Sequence, residues 1–262
     1  CGPVTLALPQ DVQTMAFDYP VNFFAPQRIR VRQPQADAHE LANALALIRA
    51  AKKPLIIAGG GVLYAQATQT LRKWVEQCGI PVCETQAGKS ALAWNHTYQL
   101  GAVGVTGSPA ANESADEADL IIAIGTRLQD FTTGSHSLFK QAKLLSINVQ
   151  MLDAMKWHAT TVVGDAQVCI QQLSEELQNY QSAKDWQSKA KAAALAWQNS
   201  TLAITRAVPN GLPYDAHCIG AVQDSAADSD INDIAVCAAG TLPAELHKLW
   251  RTQTPGGYHM EY

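Results

Sequence analysis

Three consecutive glycines, Gly59-Gly60-Gly61, stand between an apolar run and a helical pattern. In an α/β unit this is where backbone N–H groups and a helix N-terminus receive a phosphate. Glu84, at the end of the next apolar run, stands where a carboxylate would bind a ribose hydroxyl. The complete glycine fingerprint fails, because Tyr64 occupies the place of its third glycine. Two readings of the turn stay open: a nucleotide site, or a tight structural turn that needs glycine for a positive φ. Ala87-Gly88-Lys89-Ser90 carries the lysine and hydroxyl of a P-loop tail, but Cys83 stands where that motif requires its first glycine, which argues against NTP hydrolysis. Gly125-Thr126-Arg127 closes another apolar run and leads into Asp130-Phe131-Thr132-Thr133-Gly134-Ser135. An arginine beside fixed donors suits a diphosphate or another anion. The alternative is that Arg127 pairs with a carboxylate while the hydroxyls cap the next helix.

Other chemistries find less support. The seven histidines form no HExxH and no zinc-spaced cluster, and no GxSxG elbow is present. Six cysteines without a CxxC, several inside apolar segments, read as reduced thiols in a cytoplasmic protein. With 19 Lys+Arg against 23 Asp+Glu, the formal charge of −4 offers no concentrated positive face for nucleic acid or an anionic membrane. No apolar run approaches the roughly 20 residues that cross a bilayer. At 47% hydrophobic and 16% charged, the 262 residues can bury a substantial core.

The elements that must position these residues alternate regularly. Asp37 with Glu40 reads as a capping box, and Leu41, Leu45 and Ile48 follow at helical spacing until Lys52-Lys53-Pro54. Residues 55–58 form an apolar strand. Ala67, Leu71, Trp74, Val75 and Cys78 then line a helix capped by Gly79, and residues 80–83 resume an extended run, completing a βαβ unit. Runs at 120–124, 144–149 and 161–163 are apolar and rich in β-branched residues, as expected of parallel strands covered on both faces. The fold class is α/β, a parallel sheet flanked by helices over about 40–180, followed by a second α/β unit. Residues 183–199, with Trp186, Ala190, Ala193 and Trp197 on one face, read as an amphipathic connector. After a break at Pro209-Asn210-Gly211 come a helical pattern at 214–222 and a buried-strand candidate at 234–239.

The ends look cut from a longer chain. Cys1 is no initiator methionine, the strand-like run at 4–8 stops at Pro9, and the sequence halts at YHMEY just after Pro255-Gly256-Gly257.

GPVTLALPQDV, KPLIIAGGGV, GIPVCETQAGK, GVTGSPAAN, EADLIIAIGTRLQDFTTGS and AVCAAGTLPAELHKLW together resemble the thiamine-diphosphate-dependent enzymes. The similarity spans nearly the whole chain. The opening GPV, the glycine turn and the GTR loop belong to the family at large. ETQAGK and AAGTLPAELHKLW are closest to the branch that cleaves a cyclic 1,2-diketone, trihydroxycyclohexane-1,2-dione, in myo-inositol breakdown.

The resemblance implies three domains in the complete enzyme. Residues 1–20 would be the tail of the pyrimidine-binding domain, 35–180 the central dinucleotide-binding-like domain, 181–211 a connector helix and linker, and 212–262 the start of the diphosphate-binding domain. It implies thiamine diphosphate with Mg2+, a homodimer or homotetramer, and an activating glutamate and a GDG metal motif outside this chain. Gly164-Asp165-Ala166 lacks the second glycine and stands in the wrong domain. What would remain of the cofactor site is Gly240-Thr241-Leu242-Pro243, at the end of a strand and the start of a helix, with Tyr258 and His259 either near it or in a core strand. Related central domains hold FAD or ADP, or nothing; for this branch an empty one is expected, with Gly59, Gly60, Gly61 and Arg127 as the residues of an occupied one. Three functions follow: part of a hydrolase inactive by itself, a nucleotide-binding module, or a scaffold.

Overall fold

The computed structural model describes residues 5–28, 30–206, 211–226 and 233–260. The GPV opening, the Pro209-Asn210 break and the terminal Glu261-Tyr262 lie outside them. The chain divides into two units, Cys1–Gln33 and Pro34–Tyr262.

In the first unit α1 (Gln10–Gln13) starts after Pro9, and a 3₁₀ turn (Val21–Phe24) starts after Pro20. Tyr19 collects the rings of Phe17, Phe23 and Phe24 at centroid distances of 5.0 to 5.8 Å. The expected strand at 4–8 does not form in its described part, residues 5–8, where Leu6 and Leu8 are exposed. An apolar run becomes a strand only where a neighbouring edge takes up its N–H and C=O groups, and no described strand does so here.

The second unit runs α2 (Ala38–Ala50), β1 (Pro54–Ala58), α3 (Gly60–Tyr64), α4 (Thr68–Cys78), β2 (Val82–Glu84), β3 (Gln99–Ala102), α5 (Pro109–Glu117), β4 (Leu120–Ile124), α6 (Asp130–Thr133), β5 (Lys143–Asn148), α7 (Met151–Ala154), β6 (Thr160–Val163), α8 (Ala166–Glu176), α9 (Lys184–Ile204), α10 (Asp215–Ala226), β7 (Ala235–Cys237), α11 (Thr241–Leu249) and β8 (Tyr258–Met260). Strands β1 to β6 form one parallel sheet in the order β3-β2-β1-β4-β5-β6. This is the doubly wound order, in which chain direction across the sheet reverses between β1 and β4.

Burial on both faces explains the continuous apolar runs. Ile56 and Ala58 of β1, with Leu120, Ile122 and Ile124 of β4, face α2, α4 and α8. Leu55 and Ile57, with Ile121 and Ala123, face α5 and α9. Each Leu or Ile among them contributes about 1.5–3 kcal/mol on burial, so a polar residue at any of them would be costly. The helix boundaries follow local chemistry. Asp37 caps α2 by accepting from the N–H of His39, and Gly79 ends α4 with a φ of 66°.

Several expectations need correction. Glu40 does not complete a capping box, because its carboxylate accepts from the Val163 N–H at 2.8 Å and from the Thr161 hydroxyl, tying α2 to β6. The edge strand β3 was not anticipated, being four residues with a glycine at φ 90°. The connector helix is longer than expected and forms part of the second layer: Ala194 is in the core of that face and the Trp186 indole donates to the Pro54 carbonyl at 2.9 Å. The strand expected to be buried at 234–239 is β7, three residues long and paired, among the described residues, only with β8, leaving Ile234 and Val236 exposed. A two-stranded sheet has too few neighbours to cover both of its faces.

Two glycines with positive φ test these contacts. A Cβ on Gly79 would meet only the flexible end of the Gln187 side chain, whereas on Gly125 (φ 60°) it would lie 2.5 Å from the Gly61 Cα. We expect Gly79→Ala to cost about 1 kcal/mol and Gly125→Ala roughly 3 kcal/mol or more, read from denaturant midpoints. Equal losses would mean that the two backbones can separate freely.

Candidate functional site

The parallel sheet gathers its C-terminal turns along one edge, and the turns after β1 and β4 meet at the point of reversal. The Gly59 N–H donates to the Ile124 carbonyl at 2.8 Å and the Gly61 N–H to the Gly125 carbonyl at 2.9 Å. A Cβ on Gly59 or Gly61 would run into the backbone of Gly125, and one on Gly88 into the carbonyl of Ala58. Gly59 has φ −103° and none of the three glycines has a positive φ. Glycine is therefore needed here for close approach of two backbones rather than for handedness. Gly60 is buried and its missing side chain faces Ala87. Two of the N–H groups considered for a phosphate are spent on the neighbouring turn.

Arg127 follows directly and is exposed, and among the described residues it makes no ion pair. Its carbonyl accepts from the Lys156 ammonium at 3.1 Å, and Lys156 is itself paired with Asp153. The expected alternative, a carboxylate partner for Arg127, is not present among the described residues. Nor do the nearby hydroxyls cap α6. Thr126 accepts from the Leu128 N–H, and Thr133 from the N–H of His136 beyond the helix end.

The turn after β7 is built differently. Gly240 precedes α11 with φ 150° and ψ −158°, no side chain caps the helix, and a Cβ on Gly240 would meet nothing within 4 Å. Gly240, Thr241 and Leu242 are exposed, while Pro243 is buried. Because Pro243 has no N–H, the donors left over at this helix start are those of Gly240, Thr241 and Leu242. Such an end favours negative charge. An anionic group would find close access to this backbone, since no side chain caps it, the three residues are exposed and a Cβ on Gly240 would meet nothing within 4 Å.

Behind this turn lies a buried polar cluster that inspection of single motifs missed. Glu84 ends β2 and the loop after it carries Gln86, Lys89 and Ser90, which meet α11 and the β8 region. Lys89 is 5% exposed and its ammonium donates to the His247 carbonyl at 2.8 Å. His247 is 1% exposed; its Nε2 is 3.2 Å from the Glu84 carbonyl and its Nδ1 is 3.2 Å from the Thr106 hydroxyl. A carbonyl only accepts, so Nε2 carries the proton; the Thr106 hydroxyl can donate or accept, and because the ring is held neutral it donates to Nδ1. Burial, with the Lys89 charge nearby, pushes the His247 pKa down to about 3. The Gln86 amide reaches the Pro243 carbonyl, the Tyr258 hydroxyl donates to Gln86 at 2.8 Å, and the Ser90 hydroxyl accepts from the Gly256 N–H. Tyr258 is thus in a core strand and in this cluster, while His259 is exposed.

Glu84 is not open to a ribose. It is buried, and its carboxylate accepts from the Leu92 N–H at 3.0 Å. Desolvation raises its pKa to about 7 despite the Lys89 charge, and desolvation lowers that of Lys89 to about 8 despite the Glu84 charge. The signal that could have found this cluster was present in the sequence. ETQAGK and AAGTLPAELHKLW, the two segments of most specific resemblance, supply Glu84, Gln86, Lys89, Pro243 and His247 and pack on each other.

Known proteins agree with this architecture. Residues 41–173 match the family model described as thiamine pyrophosphate enzyme, central domain, so the chain belongs to the thiamine pyrophosphate enzymes and contains their central domain. Among curated relatives, 3D-(3,5/4)-trihydroxycyclohexane-1,2-dione hydrolases are 38% identical in Clostridium perfringens, 38% in Geobacillus thermodenitrificans and 40% in Bacillus cereus. The alignments cover all of this chain and 44% of each relative.

Glu84 gives a pH test. Its folded-state pKa lies above the ordinary 4.5, so the folded protein binds this proton more tightly and stability is lost as pH rises from about 4.5 through 7. Relative to Glu84→Gln, the wild type should lose about 2 kcal/mol across that window. A constant difference in urea midpoints at pH 4.5, 6 and 7.5 would contradict this.

Proposed function

We propose that this chain works within a longer thiamine-diphosphate-dependent hydrolase that opens a cyclic 1,2-diketone, trihydroxycyclohexane-1,2-dione, by cleaving a carbon–carbon bond in myo-inositol catabolism. The observation that carries this reading is the end-to-end alignment, at 38–40% identity, with relatives bearing that hydrolase's name. The 44% coverage of those relatives supports assigning the remaining machinery, including an activating glutamate and the ligands of a Mg2+ ion, to the rest of the enzyme. Among the described residues no group of three or more His, Cys, Asp and Glu is placed to hold a metal ion.

Thiamine diphosphate, when bound, supplies the electron sink needed to break a bond beside a carbonyl. The part played by this chain is to hold one edge of it. The N–H groups of Gly240, Thr241 and Leu242 and the Thr241 hydroxyl receive the diphosphate, and Pro243, buried beneath, anchors the turn to Gln86. Gly59, Gly60 and Gly61 serve chiefly to let the central turns approach. Arg127 is the one residue of that set with a free charged group among the described residues. This supports a central domain that acts as scaffold without FAD or ADP, since two N–H groups that would take their phosphates are already hydrogen-bonded. A cytoplasmic homodimer or homotetramer fits the family, and the unpaired buried thiols of Cys78, Cys83 and Cys169 are in keeping with a reducing compartment. No described helix is long and apolar enough to cross a membrane.

The complete gene product should hydrolyse the dione only with thiamine diphosphate and Mg2+ present, whereas the 262 residues alone should give no turnover. Turnover by these residues alone would overturn the assignment of the missing machinery. In the complete enzyme Thr241→Ala should raise the KM for thiamine diphosphate about tenfold, the worth of one hydrogen bond to a charged group. Calorimetric titration with FAD and ADP should show no micromolar binding, and micromolar binding abolished by Arg127→Ala would favour a nucleotide-binding module instead.

A further inference from the structure

Lys89 sits at the far end of α11 from the proposed diphosphate edge. In an α-helix the His247 carbonyl would accept from the N–H of Arg251, but that N–H donates to the Gln223 side chain at 3.2 Å. The preceding bond is intact, Trp250 N–H to the Leu246 carbonyl at 3.0 Å. The His247 carbonyl, the first one left over, takes the Lys89 ammonium. Lys89 therefore caps α11 from another part of the chain, with a positive charge where the helix dipole favours one.

A buried ammonium is an expensive way to fill space. A methionine of similar length would avoid the desolvation, losing only the donor and the charge. The groups facing Lys89 are Glu84 on β2, the neutral His247 on α11, and the Tyr258 ring on β8, whose centroid lies 5.9 Å from the ammonium; the nearby Lys248 of α11 is paired with Glu245. Glu84 is not within ion-pairing distance, so the bond to the helix is the specific one among them. The same loop reaches both ends of α11, with Lys89 at its last turn and Gln86 at Pro243 in its first.

We propose that Lys89 is a positioning residue for the cofactor: by holding the last turn of α11 it sets where the N–H groups of Gly240 and Thr241 stand. This rests on the reading that the start of α11 receives the diphosphate. It extends that reading, because it assigns a central-domain lysine, remote from the cofactor edge, to cofactor affinity.

The test uses the complete enzyme with thiamine diphosphate and Mg2+, comparing wild type, Lys89→Met, Lys89→Arg and Thr241→Ala. Lys89→Met should raise the KM for thiamine diphosphate about tenfold, by more than it lowers kcat, with partial recovery in Lys89→Arg, as loss of one charge-assisted hydrogen bond requires. The Lys89 pKa is held down to about 8, so wild-type cofactor affinity should fall between pH 7.5 and 9.5, and that fall should vanish in Lys89→Met. A lysine that merely fills the core would change stability without producing this pH dependence. Unchanged cofactor KM in Lys89→Met, or the same pH dependence with and without the lysine, overturns the proposal. If Lys89→Met does not fold, the wild-type profile decides, and a flat profile overturns it. Should Thr241→Ala leave the cofactor KM unchanged, the reading of α11 itself fails; should Thr241→Ala weaken binding while Lys89→Met does not, only the positioning role fails.

Discussion

A parallel sheet sends every strand out of the same edge, so every turn that follows a strand must share that edge with its neighbours. Here the turns after β1 and β4 leave in opposite directions and are held backbone to backbone at Gly59, Gly61 and Gly125. The remaining layers depend on this contact. It brings β1 and β4 into full register, Pro54 with Leu120 through Ala58 with Ile124, and their side chains then form the middle of both cores. The same closeness consumes the N–H groups through which such a turn could hold a phosphate. Packing and nucleotide binding compete for the same backbone atoms, and in this chain packing holds two of them, the N–H groups of Gly59 and Gly61.

Polar chemistry is displaced to the junction between the loop after β2 and α11. Buried charge is tolerated there because each group finds a directed partner: Lys89 a helix carbonyl, His247 a carbonyl and a hydroxyl, Glu84 a backbone N–H. Removing any one partner would leave another buried polar group unsatisfied, at about 1–3 kcal/mol each. The cluster therefore fixes relative placement more firmly than an apolar contact of equal area, which can slide. That firmness matters at an exposed helix start, where a small rotation would redirect every free N–H.

Much of the architecture was legible in the sequence. The runs at β1 and β4 announce strands covered on both faces, the spacing of Leu71, Trp74, Val75 and Cys78 announces α4, and Gly79 marks its end. Failures came where an element's fate depends on what lies beside it. β3 is too short and too polar to register as a strand, yet β2 offers it an edge. β7 has the composition of a buried strand, yet among the described residues β8 is the one strand that pairs with it, and its other face stays exposed. Glu40 has the spacing of a capping box, yet the N–H of Val163 is a better-placed donor.

For the site, residue types and their order were enough to mark the glycine turn, the Arg127 loop and the Gly240 turn, because strand–turn–helix succession is a local property. They also marked ETQAGK and AAGTLPAELHKLW as distinctive. What they left undecided was why, since Lys89 and His247 are 158 residues apart in the chain. Whether a lysine becomes a phosphate ligand or a helix cap depends on which groups share its burial. Likewise, a glycine N–H is free or spent according to the turn that folds against it. Hydrogen bonds and desolvation act over a few ångströms in space, so only the folded chain, which brings distant segments within that range, could settle either question.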